Sequence, residues 1–212
     1  MKPQMRVCLA VLVLGLLSAG PARAQRIYVS AYGAAASNSE IEQVRQARGL
    51  GVAVDVRMEL ARFRLELRGL TTSLGADFSI QPDYAFHELQ ILGTYAAWTA
   101  VAVQVGIGRR FTAPDFAAQE VGFVSAGALA ETRLTSLARI GARFSYLPFT
   151  RFSGGGGSDF AAELGLRLGI GRGTGRFEGI AEYTYQRIDR TVNGNAAPIR
   201  FSVARVGVGT RF

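Results

Sequence analysis

The chain has 212 residues, with one cysteine, one histidine and a formal net charge of +8. The cysteine, Cys8, lies in the apolar N-terminal segment, so disulfides, cysteine metal sites and thiol catalysis are excluded from the remainder. Basic residues are spread singly with acidic residues between them, which argues against nucleic acid as a partner, whereas an anionic lipid surface suits the charge.

The N-terminal segment has the three parts of a secretory signal. Lys2 and Arg6 are basic, an apolar run covers residues 7–17, and Ala22-Arg23-Ala24 is a small-x-small cleavage site. The apolar run is shorter than the roughly 20 residues that a membrane-spanning helix needs. We therefore predict a cleaved signal peptide over residues 1–24 and one mature domain over residues 25–212.

From residue 26 onward, apolar and polar residues alternate with a period of two, which is typical of β-strands with one apolar and one polar face. Residues 50–58 show this most clearly, because leucine, valine and methionine alternate there with glycine, alanine, aspartate and arginine. We predict ten strands, at residues 26–33, 50–58, 61–68, 86–96, 98–109, 120–131, 138–146, 163–170, 177–187 and 199–212.

The connections between these strands alternate between long and short. Polar loops are predicted at residues 34–48, 71–83, 110–119, 148–158 and 189–198, and tight turns are predicted elsewhere. Short turns at one end, longer loops at the other and an even strand number are typical of transmembrane barrels. Eight strands are the alternative, because the first and sixth segments alternate weakly.

The last strand carries the most specific signal. Apolar residues alternate with arginine and glycine from Ala204 onward, and the chain ends on Phe212. This ending resembles bacterial outer-membrane β-barrel proteins of the small OmpA/OmpX-like family, whose final strand ends in Phe and is read by the assembly machinery. The resemblance implies a closed antiparallel transmembrane β-barrel in the cell outer membrane, with Phe212 as the assembly signal. It also implies contact with outer-membrane lipid and lipopolysaccharide, the barrel assembly machinery and periplasmic chaperones.

The direction of the two faces separates a membrane barrel from a soluble one. In lipid, the apolar face must point outward and charges are tolerated only in the lumen. The export signal, Phe212 and the mixture of arginine, glutamate and glycine on the polar face favour the membrane barrel over a soluble, lipocalin-like periplasmic carrier. Val52, Val103, Leu166 and Val208 are therefore expected on the lipid side. The predicted lumen charge network comprises Asp55, Arg57, Arg62, Arg64, Glu66, Arg68, Arg139, Arg143, Glu163, Arg167, Glu178, Glu182 and Arg205.

Aromatic residues are predicted to form two girdles at the membrane interfaces, and scattered core aromatics are the alternative. The periplasmic girdle would contain Tyr95, Trp98, Phe177 and Phe212. The outer girdle would contain Phe86, Phe111, Phe144, Tyr146, Phe160, Tyr183 and Tyr185.

No motif indicates a catalytic residue, a cofactor or a metal. His87, the single histidine, shares a strand face with Leu89 and Ile91 and is predicted to point toward the lipid interface. Omptin-type proteases also have ten strands, but none of their other features is found here, and lipid A deacylase barrels have a serine where this chain has Leu89. The glycine-rich residues 169–175 lack the Gly-Lys-Ser/Thr ending of a phosphate loop. One histidine and no mature cysteine leave no metal-ligand spacing.

The predicted role is structural or interactive. Side chains fill a barrel of ten strands, so the paired charges favour a polar plug in the lumen. The loops at residues 34–48, 71–83, 148–158 and 189–198 would present a surface to the outside, for a ligand that the sequence does not specify. The alternatives are a narrow pore for ions or small solutes and an outer-membrane enzyme acting on lipid or peptide.

Overall fold

The computed structural model describes residues 25–40, 45–76, 83–115, 119–171, 176–192 and 194–212. The predicted signal peptide at residues 1–24 and parts of several predicted loops lie outside these residues. Within them, ten strands form one closed antiparallel barrel, and two short strands form a separate hairpin. No helix long and apolar enough to cross a membrane occurs among the described residues.

Each barrel strand pairs with its neighbours along the chain, and the last strand pairs with the first to close the barrel. The prediction of ten strands is therefore confirmed, and the alternative of eight is wrong. The barrel strands are β1 (Gln25–Glu40), β2 (Arg45–Leu60), β3 (Phe63–Ala76), β4 (Tyr84–Ala96), β5 (Val101–Ala113), β6 (Val121–Arg133), β7 (Ala138–Phe152), β8 (Phe160–Ile170), β9 (Phe177–Asp189) and β12 (Ile199–Arg211). The hairpin consists of β10 (Thr191–Val192) and β11 (Asn195–Ala196).

The apolar face of the barrel wall points outward. Val52, Val103, Leu166 and Val208 are 63%, 48%, 57% and 63% exposed, whereas many charged and amide side chains are buried inside. This polarity is the reverse of that in a soluble protein and suits hydrocarbon surroundings, where charges must lie in the lumen. The chain is therefore a transmembrane β-barrel of the outer-membrane type, and the soluble-carrier alternative is excluded.

Both ends of the barrel domain lie at the same end of the barrel. The short connections are found there as well: residues 61–62 join β2 to β3, residues 97–100 join β4 to β5, and residues 134–137 join β6 to β7. In outer-membrane barrels the termini and the short turns face the periplasm. We call this the periplasmic end and the opposite one the outer end.

The strands extend further at the outer end than the sequence predicted. The prediction of a loop at residues 34–48 is wrong, because β1 continues to Glu40 and β2 begins at Arg45. Strands also occupy residues 71–76, 110–113 and 148–152, and β10 and β11 occupy part of the last predicted loop. Ala36 and Asn38 are buried inside while Ser37 and Ser39 are partly exposed outside. The polar composition thus marks strands that have passed beyond the apolar band, where both faces can be polar.

Glycine is required where neighbouring strands approach closely, as at Gly51 and Gly207. A Cβ atom on Gly51 would lie 2.0 Å from the carbonyl oxygen of Thr71, and one on Gly207 would lie 2.0 Å from that of Ala31. Such distances are far inside van der Waals contact, so any side chain would push the strands apart. The tight β2–β3 turn instead places a non-glycine residue, Ala61, in the left-handed region with φ of 50°.

Candidate functional site in the barrel lumen

Strand register brings charges of opposite sign together on the inner face of the barrel. Asp55 of β2 lies opposite Arg68 of β3, and Glu182 of β9 lies opposite Arg205 of β12. In a barrel this narrow, long side chains also reach across the lumen to strands that are not neighbours. The result is a network that connects most of the wall.

Glu182 is the centre of this network. Its Oε1 atom pairs with Arg68 and, at 2.8 Å, with Nη2 of Arg205, and it lies 4.0 Å from Nη2 of Arg143. Asp55 lies 3.1 Å from Nη1 of Arg205 and 3.7 Å from Nε of Arg68. All five side chains are buried. Because a buried charge is costly without a partner, each member depends on the others for its stability.

A second arm of the network runs from Arg143 toward the outer end. Arg143 donates to Glu163 at 2.7 Å, and Gln186 donates to the other oxygen of Glu163 at 3.3 Å. Arg110 donates to Gln186 at 2.7 Å and, through two N–H groups at 3.0 and 2.6 Å, to one oxygen of Glu88. Polar contacts therefore cross the lumen from β7 and β8 to β4 and β5.

Apolar side chains fill the lumen on the outer side of this network. The guanidinium of Arg110 lies 4.5 Å from the ring centroids of both Phe86 and Phe201, and these rings stack at 4.4 Å. The planar guanidinium of an arginine can stack its face on aromatic rings while the N–H groups along its edges donate hydrogen bonds. Two clusters, which we call the outer plug, consist of Ala34, Ala36, Ala47, Leu74, Tyr84, Phe86, Phe201 and Val203, and of Val121, Phe123, Leu147, Phe152, Ala161, Ile188 and Ile199.

Beyond the outer plug, a last set of buried polar groups ties the strand ends together. Glu40 at the end of β1 pairs with Arg190 and accepts a hydrogen bond from Gln119 at 3.4 Å. Asn38 donates to Gln119 at 3.1 Å and to the hydroxyl of Tyr84 at 3.0 Å. These contacts connect β1 with β4 and with the segments that follow β5 and β9, so these parts of the outer rim are held together.

The lumen is more open and more basic toward the periplasmic end. A cavity of about 50 Å³ lies there, lined in part by Arg57, Arg64 and Arg167. Arg139 pairs with Glu178 at 2.7 Å and, more weakly, with Glu131 at 3.5 Å. Arg64 lies 3.5 Å from Glu59 and 3.8 Å from Glu131. Basic side chains thus outnumber their acidic partners in this part of the barrel.

Every residue of the predicted lumen network lies on the inner face except Arg62. That prediction is wrong, because Arg62 is exposed in the β2–β3 turn. The tight turn between the strands predicted at residues 50–58 and 61–68 falls near Glu59 and lies too early: the strand continues to Leu60, and Ala61 and Arg62 form the turn. The alternation on either side is unaffected, which is why Arg64 still points inward.

Six charged residues that belong to these contacts were missed from the sequence: Glu40, Glu59, Glu88, Arg110, Glu131 and Arg190. Glu40, Arg110 and Arg190 fall within segments that were predicted to be loops, where alternation was not applied. Glu88 had a usable signal, because it is one position out of phase with the outward residues Leu89 and Ile91.

The aromatic prediction needs one correction. Phe86 is not in a girdle, because it is fully buried in the outer plug. Trp98 is exposed in the β4–β5 turn, and the other aromatic residues predicted for the girdles are on the outside of the wall, where Tyr146 and Phe160 are in contact with ring centroids 5.9 Å apart. Their level relative to the lipid headgroups stays a prediction, as does the role of Phe212 as an assembly signal.

His87 points outward, and its ring Nδ1 lies 3.1 Å from the hydroxyl of Thr71. In the described part of the chain, no group of three or more His, Cys, Asp or Glu side chains is placed to hold a metal ion. The buried carboxylates of the lumen have arginine partners instead. The chemistry that this arrangement supports is ion pairing and occlusion.

The chain matches no protein-family model, and no curated protein is similar to it. Among solved structures, it is similar to Neisserial surface protein A (NspA), with 15% identity, 88% of this chain and 97% of that chain covered, and a TM-score of 0.43. It is similar to Ail, the attachment invasion locus protein of Yersinia pestis, with 13% identity, coverage of 89% and 99%, and a TM-score of 0.43. It is also similar to the outer membrane protease OmpT from Escherichia coli, with 11% identity, coverage of 90% and 97%, and a TM-score of 0.49. At these identities the likeness gives no information on function, and the assignment to outer-membrane β-barrels depends on the closed barrel with its apolar exterior and charged lumen.

Proposed function

We propose that this protein is a closed, non-conducting outer-membrane barrel that contacts partners at the cell surface through its extended outer strands. The observation that carries this proposal is the outer plug. Its aromatic and aliphatic side chains fill the lumen on the outer side of the charge network. Arg110 lies between the charge network and the rings of the outer plug. Hydrated ions do not cross a packed apolar layer without a large desolvation cost.

The small size of the lumen cavities supports this proposal. The cavity toward the periplasmic end of the charge network has a volume of about 50 Å³, and the one beside Arg110 and Glu163 has a volume of about 30 Å³. Such volumes hold a few water molecules that satisfy buried polar groups. Arg68, Arg143 and Arg205 in their walls are engaged with carboxylates, so these three stabilise the wall instead of forming a ladder for passing anions.

The surface role follows from strand length and stiffness. β1 and β2 have 16 residues each, which at ~3.3 Å per residue and a tilt of about 45° gives a height of roughly 37 Å. The apolar band of such barrels is about 25 Å tall, so the strand ends project about 10 Å beyond it. The Glu40–Arg190 pair and the Asn38 hydrogen bonds hold this projection rigid. A rigid surface loses little conformational entropy when it binds.

We assign the protein no catalysis. His87, the single histidine, faces outward beside a threonine hydroxyl, and the buried acids are paired with arginines. A general base needs a free acceptor within reach of a substrate proton, and the paired acids offer none.

Single-channel recording tests the occlusion. The wild type is expected to show no discrete openings in a planar bilayer. A variant with Phe86→Ala and Phe201→Ala removes the two stacked rings of the plug and is expected to conduct. A matched control with Phe63→Ala and Phe160→Ala removes two rings from the outer face and should stay silent. Discrete openings of the wild type would refute the proposal.

Cysteine labelling in intact cells tests which end faces out. Ser39→Cys places a thiol near the projecting end of β1, and Ser136→Cys places one in the β6–β7 turn. A membrane-impermeant maleimide is expected to label the first variant and not the second. The reverse pattern would show that the barrel has the opposite orientation and that the projecting strand ends are not at the cell surface.

A further inference from the structure

The periplasmic mouth of the barrel contains a second, larger cavity. It has a volume of about 150 Å³ and is bounded by the first residues of β1, the last residues of β12, the turn after β6, and Gly171 and Arg176 between β8 and β9. We call it the vestibule. Space of this size admits a small polyatomic anion together with some of its water.

The charge of the vestibule is strongly unbalanced. Among the described residues, its lining contains six arginines and a single acidic residue, Glu178. Glu178 is already paired with Arg139 at 2.7 Å. Five arginines are left: Arg26, Arg57, Arg133, Arg176 and Arg211. Like charges gathered in a concave, partly desolvated space repel one another and attract a counter-ion.

Arg57 shows that this site is built into the wall. Its side chain is only 9% exposed, and among the described residues its nearest carboxylate, on Glu59, is 3.6 Å away. Its Nε atom is buried without a hydrogen-bond partner. The face of its guanidinium lies 4.3 Å from the ring centroid of Tyr28, which holds the group in position, and its N–H donors lie along its edges.

We propose that the vestibule is a binding site for a phosphate-type oxyanion that enters from the periplasm. A tetrahedral, multiply charged anion offers several acceptor oxygens, and arginine binds such oxygens in pairs. Arg57 supplies the deep, oriented contact. Arg176 and Arg211 lie at the mouth, where they attract the anion and partly neutralise it. Free inorganic phosphate and a phosphate monoester share this chemistry.

Calorimetry on the refolded full barrel in a non-ionic maltoside detergent tests the proposal, because phosphocholine detergents would compete. Inorganic phosphate and glycerol phosphate are titrated separately, so that the two sources are distinguished. The wild type is expected to show saturable binding of at least one of them. Arg57→Gln is expected to weaken it by roughly tenfold or more, and Arg57→Lys by less, because lysine keeps the charge and loses the paired donors.

Arg109→Gln is the matched control, because Arg109 is an arginine on the outer face that lies 4.7 Å from the ring of Phe111. It is expected to leave binding unchanged. If Arg57→Gln fails to fold, the variant with Arg176→Gln and Arg211→Gln changes only the mouth and is expected to weaken binding as well. Absence of saturable binding by the wild type up to roughly 10 mM of either anion would overturn the proposal. Equal losses in the vestibule variants and in Arg109→Gln would also overturn it, since they would indicate general surface charge.

Discussion

Glu182→Gln is the substitution that should destabilise the barrel most directly. Glu182 pairs with Arg68 and with Arg205 at 2.8 Å, and all three side chains are buried. Removing one partner of a buried pair costs about 3–5 kcal/mol, because the remaining charge keeps its desolvation penalty. Glutamine retains the volume and one acceptor oxygen, so we expect a loss of about 3 kcal/mol in the free energy of unfolding.

Urea unfolding of the barrel in lipid vesicles measures this loss, with the single tryptophan, Trp98, as the fluorescent probe. The midpoint should fall while the slope stays constant, because the same surface is exposed on unfolding. Arg187→Gln is the control: it breaks an ion pair with Asp189 at the same short distance of 2.8 Å, but on the exposed outer face. Its midpoint should not change. A change below about 0.5 kcal/mol for Glu182→Gln would show that water screens the lumen charges and would refute the reasoning.

Three further substitutions test the wall itself. Ala61→Gly should stabilise the barrel by up to about 1 kcal/mol in the same unfolding assay, because glycine adopts the positive φ of the β2–β3 turn without strain; a destabilised variant would contradict this. Gly207→Ala should lower the free energy of unfolding by about 1–3 kcal/mol, since its Cβ would lie 2.0 Å from a carbonyl oxygen. Gly122→Ala is the control and should be neutral, because a Cβ there would have nothing within 4 Å. Equal effects of the two substitutions would exclude a steric cause. Val105→Arg places a charge on the apolar outer face and should cost about 2–4 kcal/mol in lipid, and a neutral result in vesicle refolding would argue against lipid contact at this position.

Alternation along the chain predicted the fold because a barrel wall imposes it on every strand. The period of two identified Val52 and Val208 as outward and Asp55 and Glu182 as inward without any knowledge of pairing. The same rule failed at Arg62, because a two-residue turn interrupts the alternation and the sequence does not mark its position. It also failed at the outer ends of β1 and β2, since beyond the apolar band the outer face becomes polar and the contrast disappears.

The composition of the network was easier to predict than its connections. Arg68, Arg143 and Arg205 come from three strands that are far apart in sequence, and all of them lie within 4.0 Å of one oxygen of Glu182. Which arginine reaches which acid depends on register and on how long side chains cross the closed lumen, and neither follows from local pattern. The contact between Arg110 and the rings of Phe86 and Phe201 was missed for the same reason, since Phe86 was predicted to face lipid.

The pairing of β12 with β1 closes the barrel wall and also completes the charge network in the lumen. Arg205 is on the final strand, and it joins Glu182 to Asp55 of the second strand. In any form of the barrel in which β12 is not paired with β1, Arg205 is separated from Asp55, so part of the central charge is uncompensated. Contacts between such distant segments form slowly. The last strand therefore completes both the hydrogen bonding of the wall and its electrostatic balance in one step, which favours all-or-none maturation over a stable, partly closed sheet.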